Sequence, residues 1–184
     1  MVSLFVCQNI EKERIIMSYQ DIKIYLTLDK ETDIGKQFYQ KLKEDPPLKL
    51  PMYKYSKTDY SYSSIPLNGY FSIYTLQMEA KTYNPGDIVY HYDSSYSEIF
   101  FMIKSKQYTY CQKVGEIENS SYEGLVSLLS ILNIKDEKPW NIITFTIEEP
   151  NDEPKPIRYS LIIITAIVLV VLIIIIYTIY KILH

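Results

Sequence analysis

The chain has 184 residues, a formal net charge of -3 at pH 7 and a hydrophobic fraction of 47%. This length suggests one domain with little left over. Because there is no basic surplus to hold a phosphate backbone, the composition argues against a nucleic-acid partner. The two cysteines, Cys7 and Cys111, show no metal-ligand spacing, so we expect reduced thiols in a cytosol-facing domain.

The first predicted elements are a leader, a strand and a helix. Residues 1–17 are expected to form a flexible leader before a domain over residues 18–148. In IKIYLTL, apolar and polar residues alternate, which predicts a half-buried strand. Thr32 then precedes a segment whose apolar residues recur every four positions, which predicts a capped amphipathic helix ending at Asp45-Pro46-Pro47. The apolar stripe of this helix comprises Ile34, Phe38 and Leu42.

Short strands dominate the rest of the domain. They are predicted over residues 48–55, 60–67, 70–78, 87–92, 98–104, 113–118 and 140–147. The tetrapeptide Asn84-Pro85-Gly86-Asp87 has turn chemistry, because proline fixes φ and glycine tolerates positive φ. Ser120 and Glu123 form a capping-box pattern before a leucine-rich helix. Many short strands with two short helices predict a mainly β chain, folded as a small closed antiparallel β-barrel with a helix at each end.

The composition changes abruptly after this domain. Residues 149–158 are acidic and proline-rich, which predicts a stiff, extended linker. Residues 159–181 follow as a predicted transmembrane helix. The run from Ser160 to Tyr180 contains no charge, proline or glycine, and as a helix it spans about 31 Å, close to the hydrocarbon thickness of a bilayer. The predicted membrane anchor includes Ser160, Leu161, Ile176 and Tyr180.

The position of this segment suggests the topology. Only residues 182–184 follow it, which is typical of a tail anchor. The N-terminal sequence MVSLFVCQNIEKERII has an apolar patch that is too short for a signal peptide. We therefore expect a single-pass membrane protein whose barrel faces the cytosol from an internal membrane, such as the endoplasmic reticulum or an organelle outer membrane. Asn119-Ser120-Ser121 is a glycosylation sequon that matters only if the domain is luminal.

The stretch YNPGDIVYHYDSSYSEIFFMI holds the residue types of a hydrolase triad or a metal site. On a strand, His91 and Asp93 share one face, while Tyr90 and Tyr92 share the other. The chain has no nucleophile elbow of the G-x-S-x-G type, and zinc sites need more nitrogen or sulfur ligands than this stretch offers. Asp87 is expected to accept a backbone hydrogen bond and lock its turn. We therefore predict no catalytic residue, no metal site and no cofactor.

The order of these elements resembles the cyclophilin-like domain family, small proteins with a cyclophilin-type β-barrel that are widespread in bacteria. The matching segments are IKIYLTL, TDIGKQFYQKL, LKLPMYKY, NPGDIVYHY, IFFMI and VGEI, and the resemblance spans residues 22–147. It implies a closed cyclophilin-like barrel. Two features depart from the family pattern: the turn at Asp93–Ser97, where the family often has proline-glycine or tryptophan-glycine, and the membrane anchor.

The resemblance raises the question of prolyl isomerase activity. True cyclophilins use an arginine that reaches the substrate carbonyl, but Arg14 and Arg158 are the only arginines here, and both are expected to lie outside the barrel. Lysine is not an equivalent fork-shaped donor. The leading hypothesis is a non-enzymatic interaction module that binds an extended peptide or a protein partner. The alternative is a divergent peptidyl-prolyl isomerase or another small barrel enzyme. The candidate ligand-face residues are Tyr90, His91, Tyr92 and Tyr96.

Overall fold

A computed structural model describes residues 13–58, 61–72, 76, 79–94 and 96–148. The chain divides into two units, Met1–Glu148 and Glu149–His184. Within the described residues, no helix combines the length and the apolar character needed to cross a membrane. The predicted linker over residues 149–158, the predicted transmembrane helix over residues 159–181 and the tail over residues 182–184 lie outside the described residues.

The described part of the chain holds ten strands, two α-helices and one short 3-10 helix. The strands are β1 (Ile15–Tyr19), β2 (Ile22–Leu28), β3 (Leu48–Lys54), β4 (Tyr62–Pro66), β5 (Lys81–Tyr83), β6 (Asp87–Asp93), β7 (Tyr96–Met102), β8 (Lys106–Tyr108), β9 (Cys111–Ile117) and β10 (Asn141–Ile147). The helices are α1 (Asp33–Glu44), α2 (Tyr122–Ile131) and the 3-10 helix Asn119–Ser121.

Eight of these strands close into one barrel in the spatial order β1-β10-β3-β4-β7-β6-β9-β2. Neighbouring strands of the barrel pair in antiparallel fashion. Strands β5 and β8 form a separate two-stranded sheet. The predicted fold class, a mainly β chain with a closed antiparallel barrel and two helices, is confirmed.

Apolar side chains fill the barrel interior because they alternate along the strands. In β2, for example, Ile24 and Leu26 are buried in the main apolar cluster. Helix α1 contributes Phe38 to the same cluster. The ring centroid of Phe38 lies 5.5 Å from that of Phe71 and 5.3 Å from that of Phe145 in β10. The interior is therefore a packed core that α1 helps to close.

Helix α1 begins as its sequence predicts. Thr32 is the N-cap residue, and its hydroxyl oxygen accepts a hydrogen bond from the Gly35 N–H at 3.1 Å. The predicted stripe of Ile34, Phe38 and Leu42 is buried. The cap and the spacing of the stripe are local signals, so they could be read from the sequence without knowledge of the barrel.

Strand β1 begins at Ile15, inside the segment that was expected to be a flexible leader over residues 1–17. Ile15 and Met17 are both fully buried, because β1 closes the barrel between β2 and β10. In the sequence, the run Ile15–Tyr19 is short and follows several charged residues, so its alternation does not identify it as a barrel strand. Residues 1–12 lie outside the described residues.

Helix α2 starts one residue later than the capping-box pattern predicts. Its N-cap is Ser121 rather than Ser120, because a 3-10 turn precedes the helix. The Ser121 hydroxyl accepts from the Tyr25 N–H at 3.0 Å instead of capping the helix. The predicted leucine face of the helix is buried and comprises Leu125, Leu128, Leu129 and Leu132.

Three further segments differ from the predicted strand pattern. Tyr70 belongs to a turn in which its N–H donates to the Leu67 carbonyl oxygen at 2.9 Å, and most of the strand predicted over residues 70–78 lies outside the described residues. Strands β5 and β8 were not predicted. Each has three residues, which is too short for an alternation pattern to be recognised.

Gly115 of β9 pairs with Leu28 of β2. A β-bulge is present at this point, because Ile88 pairs with Gly115 while Val89 pairs with Lys113. A Cβ added at Gly115 would collide with the Thr27 carbonyl oxygen. The position therefore requires glycine for space.

Replacing Gly115 with alanine is expected to lower the free energy of unfolding by about 1–3 kcal/mol, because β2 must shift to admit the methyl group. Denaturant unfolding followed by circular dichroism measures this change. The matched control is Gly124→Ala in α2, where the nearest atom is 3.4 Å from the added Cβ and alanine favours the helix. Equal stability of the Gly115→Ala chain and the unmodified chain would contradict the close approach of the two strands.

Candidate functional site

Three polar or reactive side chains form a row across three neighbouring strands. Cys111 of β9 pairs directly with His91 of β6, and His91 pairs directly with Glu98 of β7. Tyr90 and Ile99, which flank the row on the same strands, belong to the interior apolar cluster. Because side chains alternate along a strand, His91 and Glu98 lie on the outer wall of the barrel.

The centre of the site is the Glu98 carboxylate, and this residue is only 3% exposed. Its Oε2 atom accepts hydrogen bonds from the Tyr53 hydroxyl at 2.7 Å and from the Tyr96 hydroxyl at 3.3 Å. The Ser64 hydroxyl donates to the same oxygen. The two tyrosine hydroxyls also contact each other at 2.7 Å. Three hydroxyl donors thus converge on one buried oxygen, an arrangement that compensates for the loss of water around the charge.

His91 faces the second oxygen of the same carboxylate. Its Nδ1 atom lies 3.5 Å from Glu98 Oε1, which is longer than an ordinary N–H···O hydrogen bond. This buried nitrogen has no hydrogen-bond partner in the described structure. The imidazole ring stacks on Phe100 with centroids 5.3 Å apart, so its orientation is fixed by packing. The contact with Glu98 becomes an ion pair when the imidazole is protonated.

The electrostatics of the site favour an ionised carboxylate among neutral tyrosines. Burial raises the pKa of Glu98, but the imidazole of His91 and the hydroxyl donors outweigh burial and leave this pKa below its usual value. Burial, and then the negative charge of Glu98, raise the pKa of Tyr53. Burial also raises the pKa of Tyr96 to about 12. Both tyrosines therefore remain protonated donors at neutral pH.

Cys111 completes the row but is not an activated thiol. Burial, and then the charge of Glu98, raise the pKa of Cys111 to about 12. The residue belongs to a second apolar cluster on the outer wall, and the hydroxyl of Tyr83 donates to its carbonyl oxygen at 2.7 Å. A nucleophilic cysteine needs an electropositive surrounding that lowers its pKa. The order Cys-His-Glu has the residue types of a thiol triad without the electrostatics of one.

Residues 133–140, which we call the strap, cover part of the site. The Lys54 N–H donates to the Asn133 carbonyl oxygen, and the Lys135 N–H donates to the Lys54 carbonyl oxygen, both at 3.0 Å. The indole N–H of Trp140 donates to the Lys135 carbonyl oxygen at 2.9 Å, and its ring lies 4.9 Å from the Tyr53 ring. The strap is thus tied to the end of β3 and packs against one of the donors to Glu98.

The four candidate ligand-face residues do not share one surface. His91 and Tyr96 are brought together around Glu98 on the outer wall. Tyr90 is 1% exposed and points into the interior cluster, and Tyr92 packs against that cluster. The alternation predicted from the sequence explains this division, since Tyr90 and Tyr92 occupy the opposite strand face.

Sequence reasoning missed the residues at the centre of the site. The sequence pattern places Glu98 at the start of a predicted strand, and it gives no sign that Tyr53 and Ser64 contact this residue. The one available signal was a carboxylate within YSEIFFM, a segment that is otherwise almost entirely buried. Cys111 has no histidine near it in sequence, yet the register of β6 and β9 places His91 directly opposite.

The backbone hydrogen bond expected for Asp87 is present in the turn before β6. Its Oδ2 atom accepts from the Asn84 N–H at 2.8 Å, and its Oδ1 atom lies 2.7 Å from Lys113 Nζ. Gly86 adopts a φ of 88°, the conformation that glycine permits in this turn. Among the described residues, no group of three or more histidine, cysteine, aspartate or glutamate side chains could hold a metal ion.

Arg14 lies at the edge of the barrel, outside its strands. It lies one residue before β1, and its guanidinium group donates to both carboxylate oxygens of Glu118, at 2.6 and 2.8 Å. A third contact reaches Glu148 at 2.7 Å. The guanidinium therefore connects the beginning of β1 to the residues that directly follow β9 and β10.

Two open pockets lie beside α1, and neither includes a residue of the row. One, of about 380 Å³, lies between the helix and the turn at residues 69–72 and includes Gln37 and Lys41. The other, of about 440 Å³, includes Tyr39 and Lys43. Neither pocket is lined by Glu98 or by its hydroxyl donors, so these pockets are separate from the site around Glu98.

Replacing Glu98 with glutamine is expected to lower the free energy of unfolding at neutral pH by about 1–3 kcal/mol, because an amide N–H would face hydroxyl donors. The folded-state pKa of Glu98 lies below the unfolded value of about 4.3, so its stabilising effect is present above that pH and is lost as the pH falls through the folded-state pKa. The stability difference between the two chains should therefore narrow below about pH 4.

Unfolding midpoints measured across this pH range test the expectation. The control is Asp136→Asn, which removes an exposed carboxylate from the strap. A difference between the Glu98→Gln chain and the unmodified chain that stays constant as the pH falls would show that Glu98 is not held as a carboxylate.

Cys111 is expected to resist alkylation by iodoacetamide at neutral pH in the folded chain, because a thiol with a pKa of about 12 is almost entirely protonated. Mass spectrometry of the peptide that contains Cys111 measures the rate, and the same chain unfolded in guanidinium provides the reference. Rapid labelling of the folded chain would overturn the description of Cys111 as an inert wall residue.

Comparison with known proteins finds no protein family that matches the chain and no characterised relative. The interpretation of the row and of the barrel therefore rests on the chemistry and geometry of the residues themselves.

Proposed function

We propose that the chain is a single-pass membrane protein whose cyclophilin-like barrel is a non-enzymatic interaction module. The observation that carries the proposal is the way the barrel is filled. Its interior holds a continuous apolar cluster that extends from β1 through α1 and α2 to β10. The buried carboxylate among the described residues, Glu98, belongs instead to the outer wall and has its hydrogen-bond partners within the protein.

A filled barrel supports binding at its surface rather than catalysis in its mouth. Ligand pockets in enzymes are concave and bring a few polar groups together around open space. Here the polar groups converge on one another: the hydroxyls of Tyr53 and Tyr96 meet each other and Glu98. The site is therefore better suited to stabilising a wall than to holding a substrate.

The ion pairs of Arg14 also favour an interaction module over a prolyl isomerase. Isomerase chemistry of the cyclophilin type needs a guanidinium that is free to reach the substrate carbonyl. The Arg14 guanidinium contacts the carboxylates of Glu118 and Glu148. Releasing it would break three charge-assisted contacts near the closure of the barrel.

The membrane part of the proposal rests on the sequence. Residues 160–180 carry no charge and have the length of a bilayer span as a helix, and residues 149–158 are the proposed linker before this anchor. The proposed partners are thus the lipid bilayer, through the anchor, and a peptide or protein in the cytosol, through the barrel.

Proximity labelling tests the recruitment of a partner. A labelling enzyme at the N-terminus of the full chain is expected to mark neighbours that are not marked when the enzyme is joined directly to residues 149–184. Both chains carry the same anchor, so differences report on the barrel. Identical neighbour sets would contradict an interaction module, as would prolyl isomerisation catalysed by the purified chain.

Two further experiments in the same cells test the membrane insertion and the orientation of the chain. The full chain is expected to stay in the membrane pellet after alkaline extraction, and removal of residues 159–181 should release it. Asn119 should remain unmodified, because the barrel is proposed to face the cytosol. A mobility shift that is reversed by glycosidase and abolished by Asn119→Gln would place the domain in the lumen and contradict the proposed orientation.

A further inference from the structure

Lysine side chains lie over a connected series of aromatic rings, which we call the lysine–aromatic strip; Tyr62, in the middle of the series, is buried. Lys135 Nζ lies 5.1 Å from the Tyr96 ring centroid and 5.3 Å from that of Tyr55. The Tyr55 and Tyr62 rings are 5.3 Å apart. The far end of the strip is Lys106, whose Nζ lies 5.8 Å from the Tyr62 ring and 5.4 Å from the Tyr108 ring. The strip comprises Tyr96, Lys135, Tyr55, Tyr62, Lys106 and Tyr108.

The strip rests on a rigid support. The Tyr96 hydroxyl is held by Glu98 and Tyr53 beneath the surface. The backbone of Lys135 is fixed on both sides, since its N–H donates to Lys54 and its carbonyl oxygen accepts from the Trp140 indole. Side chains that are already ordered lose little conformational freedom when a partner binds, which favours affinity.

The charge of this surface is opposite to that of the whole chain. Residues 53–58, 106–108 and 133–140, which carry four of the six strip residues, hold five lysines and two carboxylates, although the chain has a formal net charge of -3. One of these carboxylates, Glu137, is paired with Lys57 at 3.0 Å. Lys138 lies 4.8 Å above the Trp140 ring. In the described part of the chain, neither Lys135 nor Lys138 pairs with a carboxylate.

We propose that the lysine–aromatic strip binds an acidic, extended peptide segment of a partner protein. This inference rests on the proposed function and names the partner's chemistry. Carboxylates of the segment would contact the ammonium groups of Lys135 and Lys138, beside the Tyr55 side chain, which is 41% exposed. Aromatic residues with a positive rim are typical anchors of protein interfaces.

The ring geometry favours a peptide over a single-stranded nucleic acid. Nucleic-acid platforms stack bases on the faces of aromatic rings. Here ammonium groups lie over the rings of Tyr55, Tyr96 and Trp140, so a stacking base would have to displace them. A carboxylate, by contrast, contacts the ammonium groups where they are.

Fluorescence anisotropy with the full chain in neutral detergent tests the proposal. The probe is a fluorescein-labelled peptide of alternating glutamate and tyrosine, compared with its glutamine-for-glutamate analogue and with a single-stranded oligothymidine. The acidic peptide is expected to bind best, and added salt should weaken its binding. The double variant Lys135→Ala with Lys138→Ala should lose about tenfold in affinity.

The matched control is Lys36→Ala with Lys41→Ala on α1, which changes the net charge equally but leaves the strip intact. It should bind the acidic peptide as the unmodified chain does. Equal losses in the two double variants, no binding of the acidic peptide, or tighter binding of oligothymidine would each overturn the proposal. These outcomes leave the proposed function open to its own test, because barrel-dependent neighbours in proximity labelling do not require an acidic partner.

Discussion

The Glu98 carboxylate constrains the wall around it, because a charge on a residue that is 3% exposed must find its partners inside the protein. Its three hydroxyl donors, from Tyr53, Ser64 and Tyr96, come from β3, β4 and β7. A slip of one residue in any of these strands would turn a donor to the opposite face and leave the charge undercompensated. The polar cluster therefore adds a requirement for register to the apolar packing of the interior.

The same donors connect the barrel wall to its surface. Tyrosine has a polar tip and an apolar body, so it can satisfy a buried charge and still present its ring elsewhere. The Tyr53 hydroxyl reaches Glu98 while its ring packs against Trp140, and the Tyr96 hydroxyl reaches Glu98 while its ring lies beneath Lys135. The buried carboxylate thus holds the Tyr96 end of the lysine–aromatic strip in place.

Local patterns in the sequence predicted the elements that depend on local physics. The alternation of IKIYLTL and the cap at Thr32 needed no knowledge of the barrel, and both are confirmed. The role of Ile15 and the pairing of Cys111 with His91 depend on closure between segments far apart in the chain. A single sequence gives the spacing of residues along a strand but not the register between strands, so the candidate site could be predicted only in part, through His91 and Tyr96.

Residue types alone would suggest that Cys111, His91 and Glu98 form a catalytic triad. A thiol nucleophile requires that the thiolate be stabilised, but here burial and a neighbouring carboxylate both favour the protonated thiol. The histidine contacts the carboxylate at one side and stacks on Phe100, so packing fixes its position. The carboxylate in turn is held by hydroxyls that belong to the wall. Hydroxyl donors hold the Glu98 carboxylate, packing on Phe100 holds His91, and burial keeps the Cys111 thiol protonated, so the row lacks the electrostatics of a thiol triad.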